Sequence, residues 1–445
     1  MAGGLMQLVA YGAQDVYLTG NPKVTFFQAV YKKHTNFAME NIEQTVNGTA
    51  GNSGRISVTI ARNGDLVGEM YLEMDSKIQT LTSNNLGTDA VWCAERAIQD
   101  IELTIGGQRI DKHYQRWWRL YSELYLDEAK KVNWGKMTSG GFDADGKMST
   151  SHGRVYLPLI FFFNRNPGLF LPLIALQYHE VRLDIDLSGV YDSYFTGAPK
   201  VWANYVYLDT EERRRFAQKG HEYLIEQVQH TGVDNIDGNT QQVRLSYNHP
   251  VKELVWCYSN TATVGDTNAM WNFCGPKQDE VTLTIDPRLN TSAASNVGCQ
   301  ILPHHVGAPH MACSSNTEQS AYGYWVEEGN TASAVTVGPL DSFNLILNGQ
   351  DRFKAQRGKY FNQVQPYNHH SGTPYPGIYS YSFALKPEEH QPTGTCNFSR
   401  IDNAQVSVKL KDNVLKSTQK SQYMFAVNYN VLRIQSGMGG LAFSN

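Results

Sequence analysis

The chain has 445 residues, of which 41% are hydrophobic, 11% aromatic and 18% charged, so its composition excludes a disordered or coiled-coil protein and favours a β-rich fold. The formal net charge of −4 gives no general attraction to nucleic acid or to an acidic membrane. The length allows two large β-sandwiches or about three domains of average size.

The first residues of the chain lack the features of a targeting sequence. No basic residue precedes Lys23, and the segment from Met1 to Leu18 has no continuous apolar core of the signal-peptide type. Secretion is therefore not expected, and the cysteines should be reduced and mostly packed instead of forming a disulfide framework. They are Cys93, Cys257, Cys274, Cys299, Cys313 and Cys396.

Apolar and polar residues alternate along many short segments, which predicts β-strands with one buried face. The segments occur in both halves of the chain, so antiparallel β-structure should dominate throughout. Their apolar positions are Ile56, Val58 and Ile60; Ile101, Leu103 and Ile105; Val181, Leu183, Ile185 and Leu187; Val243, Leu245 and Tyr247; Val281, Leu283 and Ile285; and Val406, Val408 and Leu410.

One segment after Asp111 has helical periodicity instead. Lys130 and Lys131 lie near its expected C-terminal end, where positive charge stabilises the helix dipole. We predict a helix here that caps or flanks a sandwich. The apolar residues at i, i+3, i+4 and i+7 are Trp117, Leu120, Tyr121 and Leu124.

The most apolar stretch of the chain runs from Val155 to Tyr178 and is interrupted by the turn-forming segment from Asn164 to Gly168. Each half is too short to span a bilayer, so no membrane insertion is expected. The stretch predicts two buried strands around a turn.

The segment from Asp209 to Gly220 mixes acidic and basic residues and has a start that suits a helix, which is typical of a short solvated connector. The functional alternative is an arginine patch, Arg213 to Arg215, that grips phosphate. Glu211 and Glu212 lie beside these arginines and weaken that alternative.

The segment from Asn260 to Val337 is rich in Asn, Thr, Ser, Gly and Ala, as an exposed loop would be. It contains five potential zinc ligands, but their spacing matches no standard site and the prolines among them indicate an irregular loop. A metal site is therefore an open alternative, and our expectation is no metal. The five residues are Cys299, His304, His305, His310 and Cys313.

Catalytic motifs do not occur in complete form. His179-Glu180 begins like a zinc-protease motif, but Leu183 stands where the second histidine is required, and His221-Glu222 fails in the same way. Asp184 and Asp186 share one face of a strand and could pair as catalytic carboxylates, although a solvated outer face explains them equally well. We expect neither an enzyme nor a cofactor.

The two halves of the chain share a weak internal repeat in collinear order. Ile42-Glu43-Gln44 recurs as Ile225-Glu226-Gln227, and Ile105-Gly106-Gly107-Gln108 recurs as Leu347-Asn348-Gly349-Gln350. In the same order, Pro167 precedes Val181 by fourteen residues and Pro392 precedes Val406 by fourteen. Two tandem sandwiches of one fold would give this pattern, with residues 260–337 as an insertion in the second.

The segment from Ala2 to Asn36, and most specifically Gly12 to Pro22 (GAQDVYLTGNP), resembles the N-terminal arm of major capsid proteins from the nucleocytoplasmic large DNA viruses. The resemblance covers essentially the whole chain except residues 260–337. Other segments similar to this family are Ile60–Leu66, Ile105–His113, Leu157–Leu159 and Cys396–Asp402.

The resemblance implies an all-β protein of two tandem eight-stranded jelly-roll β-sandwiches, with short helices in the connecting loops. Together with the repeat, it divides the chain into an N-terminal arm (1–36), a first jelly roll (37–212), a second jelly roll (213–437) and a C-terminal tail (438–445). The glycine-rich run Gly437-Met438-Gly439-Gly440 makes us expect the tail to be flexible.

The resemblance also implies a structural role. Three copies would form a pseudo-hexagonal capsomer, and capsomers would tile the outer icosahedral shell of a large double-stranded DNA virus assembled in the host cytoplasm. Neighbouring capsomers and minor capsid proteins beneath the shell would be the partners, with no direct nucleic-acid binding. Apolar residues of the arm would contact these partners at the capsomer base, or would only seal the bottom of the first sandwich. They are Leu5, Leu8, Tyr11, Tyr17, Phe26, Phe27 and Tyr31.

A different class remains as the alternative, a double-sandwich carbohydrate-binding or carbohydrate-active protein. Trp256, Trp271 and Trp325 could serve it as sugar-stacking surfaces. Oligomeric state discriminates the two, because the capsid hypothesis requires stable trimers.

Overall fold

The fold is described from a computed structural model of the chain. The structure describes residues 12, 14, 18, 23–24, 27–76, 92–138, 153–238, 240–259, 299–301, 311–313, 338–374, 377–411 and 420–443. Within these ranges β-strands dominate, every pair of neighbouring strands is antiparallel, and helices are confined to connections.

The strands are numbered in chain order. Those of the first half are β1 (Lys23–Val24), β2 (Ala29–Val30), β3 (Phe37–Gln44), β4 (Val46–Gly48), β5 (Arg55–Thr59), β6 (Leu66–Ser76), β7 (Ile98–Ile105), β8 (Gln108–Tyr114), β9 (Arg154–Pro158), β10 (Leu171–Pro172), β11 (Val181–Leu187) and β12 (Phe195–Leu208). Those of the second half are β13 (His221–Asn235), β14 (Gln241–Leu245), β15 (Pro250–Ser259), β16 (Cys299–Ile301), β17 (Met311–Cys313), β18 (Leu340–Leu347), β19 (Gln350–Asp351), β20 (Gln356–Arg357), β21 (Ile378–Ser382), β22 (Cys396–Asn397), β23 (Ala404–Leu410), β24 (Ser421–Gln435) and β25 (Met438–Leu441).

The helices lie in the connections. They are α1 (Cys93–Ala97), α2 (Gln115–Leu124), α3 (Glu128–Thr138), α4 (Phe162–Arg165), α5 (Tyr191–Tyr194), α6 (Thr210–Gln218) and α7 (Gln365–His369), with 3₁₀ turns at Pro167–Leu169 and Phe398–Arg400 and a π-helical turn at Tyr360–Val364.

Two pairs of facing sheets have the same strand order. The first sandwich combines the sheet β10-β6-β12-β3, with β9 beside β6, and the sheet β4-β5-β11-β7-β8. The second combines β13-β24-β15-β21, with β22 beside β15 and β25 beside β24, and β14-β23-β18-β19, with β20 beside β18. Each sandwich has eight described strands longer than three residues. The predicted fold of two tandem jelly rolls is confirmed.

The segments of the internal repeat fall on equivalent strands. The Ile-Glu-Gln segments lie in β3 and β13, which are the edge strands beside β12 and β24. The Ile105 and Leu347 segments form the β7-β8 and β18-β19 hairpins, whose central residues all have left-handed φ: Gly106 +58°, Gly107 +81°, Asn348 +49° and Gly349 +79°. Such two-residue turns match the strand twist of a hairpin.

The apolar core continues from one sandwich to the other. One cluster combines the interior of the first sandwich with residues such as Val255, Cys257 and Phe425 on the outer side of the second. A separate cluster, including Trp256, Phe343 and Val406, fills the interior of the second sandwich. The two sandwiches are therefore packed against each other as one body.

Three segments meet at one end of the sheets, which we call the base. Strand β12 ends at Leu208 opposite Phe37, where β3 begins, and β13 begins at His221 opposite Ile434 of β24. The arm, the connector and the C-terminal segment therefore adjoin the base. At the opposite end β15 stops at Ser259, beside Ser421 of β24.

The predicted helix after Asp111 is two helices. Helix α2 ends at Leu124, and the side chain of Asp127 accepts a hydrogen bond from the Lys130 N–H at 2.7 Å, which starts α3. Lys130 and Lys131 therefore belong to the second helix, and the expectation that they end the first is wrong.

The prediction of two strands around the Asn164–Gly168 turn is also wrong in its second half. Strand β9 precedes the turn, but α4 and a 3₁₀ turn occupy the break and only the two-residue β10 follows. The Asn164 side chain donates to the Gly68 carbonyl at 2.8 Å and accepts from the Phe161 N–H at 3.2 Å, which stabilises this compact turn.

Candidate functional site

Strand β8 and helix α2 of the first sandwich lie on the outer side of the β13-β24-β15 sheet of the second. The Tyr114 ring lies 5.0 Å from that of His230, and the Trp117 ring lies 5.7 Å from that of Phe425. At the strand edge, the Val228 N–H donates to Oδ1 of Asp111 at 3.0 Å. This junction joins an edge of one sandwich to a face of the other.

A group of charges made of the buried Glu226 and Lys252 and the partly exposed Arg165 lies on the side of the junction nearer the base. Glu226 on β13 accepts hydrogen bonds from Arg165 of the first sandwich at 2.8 Å and from Lys252 of β15 at 2.7 Å. Burial alone would raise the pKa of Glu226, but the positive charges of Arg165 and Lys252 hold it far below its ordinary value. The carboxylate therefore stays ionised, and the ion pairs tie the sandwiches together.

A second buried group contains an imidazole between two carboxylates. Nε2 of His370 lies 2.9 Å from Glu253, and Nδ1 lies 3.3 Å from Glu388. Burial acts to lower the pKa of His370, but the two glutamates outweigh it and raise the pKa to about 9. Near neutral pH this imidazole is charged inside the protein.

The residues that follow His370 hold the C-terminal end of α2. The Gly372 N–H donates to the Leu124 carbonyl at 3.2 Å, and Nζ of Lys131 donates to the Thr373 carbonyl at 2.6 Å. A Cβ on residue 372 would lie 2.5 Å from the Glu123 carbonyl oxygen, so only glycine fits without displacement. This loop, which we call the clasp (residues 370–373), fixes the second sandwich to α2.

The C-terminal segment is a strand rather than the expected flexible tail. Strand β25 pairs with β24 and also contacts the first sandwich, where Oε1 of Gln108 accepts the Leu441 N–H at 3.1 Å. The Tyr178 N–H donates to the Gly437 carbonyl at 2.9 Å. Glycines close to the first sandwich are needed here for close approach, not for mobility.

The connector is a helix with no buried residue, as its composition predicts. Asp209 caps α6 by accepting the Thr210 N–H at 2.8 Å, and Arg213 pairs with Asp65 of the first sandwich at 3.0 Å. Thr35 at the end of the arm donates to Glu212 at 3.3 Å, so arm and connector are in contact.

Only part of the predicted arm site can be located. Phe27 is fully exposed and Tyr31 is 81% exposed, which is unusual for large apolar side chains. Leu5, Leu8, Tyr11, Tyr17 and Phe26 lie outside the described residues.

The alternatives for chemistry find little support in the described part of the chain. Asp184 is paired with Arg182 at 2.5 Å, and Trp256 is fully buried, so neither is available to a substrate. Cys299 and Cys313 are register partners in the β16-β17 pair, whereas His304, His305 and His310, like Trp271 and Trp325, lie outside the described residues. In the described ranges no cluster of metal-ligating side chains occurs.

Two further findings concern the cysteines and the membrane. Cys93 and Cys257 are buried thiols and Cys396 is a half-buried one, while Cys274 lies outside the described residues.

No helix among the described residues has the length and apolar character to cross a bilayer.

Sequence reasoning did not single out the charged residues of the junction. Arg165 could have been found as a cation inside the most apolar stretch of the chain, and Glu226 as the recurring acid of the Ile-Glu-Gln repeat. His370 gave no signal in the sequence, because no motif connects it with its partners: Glu253 lies 117 residues before it and Glu388 lies 18 residues after it.

Two family models match the chain one after the other. Residues 25–209 match "Major capsid protein N-terminus", and residues 212–440 match "Large eukaryotic DNA virus major capsid protein".

Similar proteins cover the whole chain. It is 42% identical to the major capsid protein of Paramecium bursaria Chlorella virus 1 and 39% identical to that of Phaeocystis pouchetii virus, in both cases over 100% of each chain. Among solved structures, the PBCV-1 virus capsid matches with a TM-score of 0.71 and 37% identity, over 95% of this chain and 100% of that one. The Faustovirus major capsid protein, 14% identical, matches in fold with a TM-score of 0.63 over 93% of each chain.

Proposed function

Since the chain belongs to the major capsid proteins of large eukaryotic DNA viruses, we propose that three copies form a pseudo-hexagonal capsomer of the outer icosahedral shell. The observation that carries this proposal is the packing of two similar sandwiches against each other in one chain. Three such chains present six similar units, which fill a hexagonal lattice position although the true symmetry is threefold.

The arm is proposed to act at the base of the capsomer. The exposed Phe27 and Tyr31 are large apolar side chains that would be buried against neighbouring capsomers or minor capsid proteins. The other five arm residues named from the sequence are included in this proposal. We place the arm at 1–36 and the boundary between the jelly rolls within α6, near residue 212.

The wider setting is part of the same proposal. The protein acts as a structural subunit rather than an enzyme, without a cofactor, without direct contact to nucleic acid and without insertion into a membrane. It is made and assembled in the host cytoplasm. The net charge of −4 supports the expected lack of nucleic-acid binding.

The test combines mass measurement with imaging of the purified full chain. Light scattering after size-exclusion chromatography should give three times the 49.9 kDa mass of one chain, and negative-stain images should show hexagonal outlines. A stable monomer would refute the capsomer.

A truncated variant tests the role of the arm. Deleting residues 2–20 should leave folded trimers that no longer associate laterally into sheets or shells. Normal lateral assembly by the truncated chain would contradict the arm proposal.

A further inference from the structure

We propose that Cys299 and Cys313 form a redox modification site, in which a disulfide joins the two residues once the protein leaves the reducing cytoplasm. They are register partners at the open end of the β16-β17 hairpin, where β16 begins and β17 ends. The timing of the bond rests on the proposed assembly in the host cytoplasm. The choice of the two cysteines rests on the strand register alone.

The backbone register gives the spacing that a disulfide requires. Residues directly opposite each other in an antiparallel pair have Cα atoms about 4.5 Å or about 5.5 Å apart, depending on which of the two alternating positions they occupy. Disulfides span Cα distances of roughly 4.4 to 6.8 Å. Either position is therefore compatible with a bond between Cys299 and Cys313.

The hairpin is short and stands apart from the other described strands. Its two strands have three residues each and form a two-stranded sheet of their own. A two-stranded sheet is marginally stable in water without a further constraint. A bond across the open end closes a loop from residue 299 to residue 313, which removes conformational freedom from the open state. The disulfide supplies the constraint that so short a ladder needs.

The register separates this pair from the cysteines of the two sandwiches. Cys257 in β15 has Ile378 and Tyr423 as register partners. Cys396 in β22 lies opposite Val251. Among the strand pairs that the structure describes, only β16 and β17 place two cysteines opposite each other. The modification is therefore specific to this hairpin.

The oxidation requires a small disulfide such as oxidised glutathione as the co-reactant. The thiolate of one cysteine attacks the glutathione disulfide, forms a mixed disulfide and releases one glutathione. The second thiolate attacks the mixed disulfide, forms the protein S–S bond and releases the other glutathione. The two thiol protons pass to the released glutathione thiolates, so two protein thiols are oxidised and one glutathione disulfide is reduced. Thiols stay reduced in the cytoplasm, whereas disulfides persist at virion surfaces.

Peptide mapping of the purified full chain tests the site. After equilibration with oxidised glutathione and alkylation of the remaining thiols, the peptides that contain Cys299 and Cys313 should be recovered as one joined species. The joined species should be two hydrogens lighter than the two peptides together, and a reductant should separate it. Amide hydrogen exchange within β16 and β17 should slow on oxidation by on the order of a hundredfold.

Single substitutions give the controls. Cys299→Ser should leave Cys313 open to alkylation in the oxidised chain, and Cys313→Ser should do the same for Cys299. Cys396→Ser is the matched control, because Cys396 also lies in a short strand but opposite Val251. The joined peptides should still form in this variant.

The outcomes separate this inference from the proposed function. Cysteines 299 and 313 that remain fully open to alkylation in the oxidised chain would overturn the proposal, as would a bond from either one to Cys274. Zinc bound to the purified chain and lost in Cys299→Ser would assign the pair as metal ligands and equally overturn the disulfide. Joined peptides in a chain that proves monomeric would support the site while refuting the capsomer.

Discussion

Nε2 of His370 lies 2.9 Å from Oε2 of Glu253, and neither side chain has any surface accessible to solvent. Removing one partner of such a buried ion pair strongly destabilises the fold, because the remaining charge is left buried without a partner. The pair also begins the clasp that holds α2, so its protonation is coupled to the contact between the two sandwiches.

The first prediction concerns alkaline pH. The pKa of His370 is raised from 6.5 to about 9, so the stability it contributes is fully present below about pH 6.5 and is lost as pH rises through about 9. Its full size is on the order of 3 kcal/mol. Thermal unfolding between pH 6 and 10 should show a falling melting temperature, and His370→Gln should flatten that decline. An equal decline in the variant would contradict this role.

The second prediction concerns the junction charges. Glu226→Gln should destabilise the chain by about 3–5 kcal/mol, because Lys252 would remain buried beside the positive charge of Arg165 without a carboxylate between them. Urea unfolding measures the change. Glu222→Gln is the control on the same strand: its pair with Arg433 is exposed, and its loss should cost at most about 1 kcal/mol. Similar losses in both variants would argue against a buried ion pair at Glu226.

The third prediction concerns acidic pH, at which the stability contributed by Glu226 should be lost. Because the pKa of Glu226 is lowered in the folded state, the stability it contributes is present above its unfolded value near 4.5 and is lost as pH falls below that. Stability curves of the unmodified chain and of Glu226→Gln should therefore converge on acidification. Curves that stay parallel down to pH 2 would contradict the shift.

The clasp gives a prediction that involves no charge. Gly372→Ala places a methyl group 2.5 Å from the Glu123 carbonyl oxygen and 2.7 Å from that of Leu124, so we expect a loss of about 1–3 kcal/mol in unfolding free energy. Gly238→Ala is the matched control, because its nearest neighbour, the Thr240 carbonyl oxygen, is 3.7 Å away. Equal stability of the two variants would show that the clasp can move without cost.

Removal of β25 tests its role in joining the sandwiches. Ending the chain after Gly437 deletes the Leu441–Gln108 hydrogen bond and the pairing with β24, and should lower the unfolding free energy by about 2 kcal/mol. Differential scanning calorimetry would report this as a lower melting temperature. An unchanged melting temperature would support the flexible tail expected from the glycines.

The sandwiches could be predicted because strand periodicity is local. Alternation at Ile101, Leu103 and Ile105 follows directly from one buried face, and the internal repeat identifies equivalent hairpins from the sequence alone. Helix boundaries were harder: the pattern through Leu124 does not reveal the break, since Asp127 starts α3 through one capping bond. Signals of that kind are short and easily missed.

The junction could not be predicted because its contacts are distant in sequence. No residue near His370 in the sequence indicates that Glu253 is its partner. The glycines around Met438 predict a mobile segment, although in the fold they form a strand packed against the first sandwich. Glycine is favoured both where two domains pack closely together and in a flexible tail. Only the assembled fold distinguishes these two uses of glycine.

The arrangement at the two ends of the sheets has a practical consequence. The connector, the clasp and strand β25 join the two sandwiches. They lie away from the end of the sheets where β15 stops at Ser259 and β18 begins at Leu340. Since both sandwiches are joined away from this end of the sheets, sequence changes near Ser259 or Leu340 should leave the joint between the halves intact.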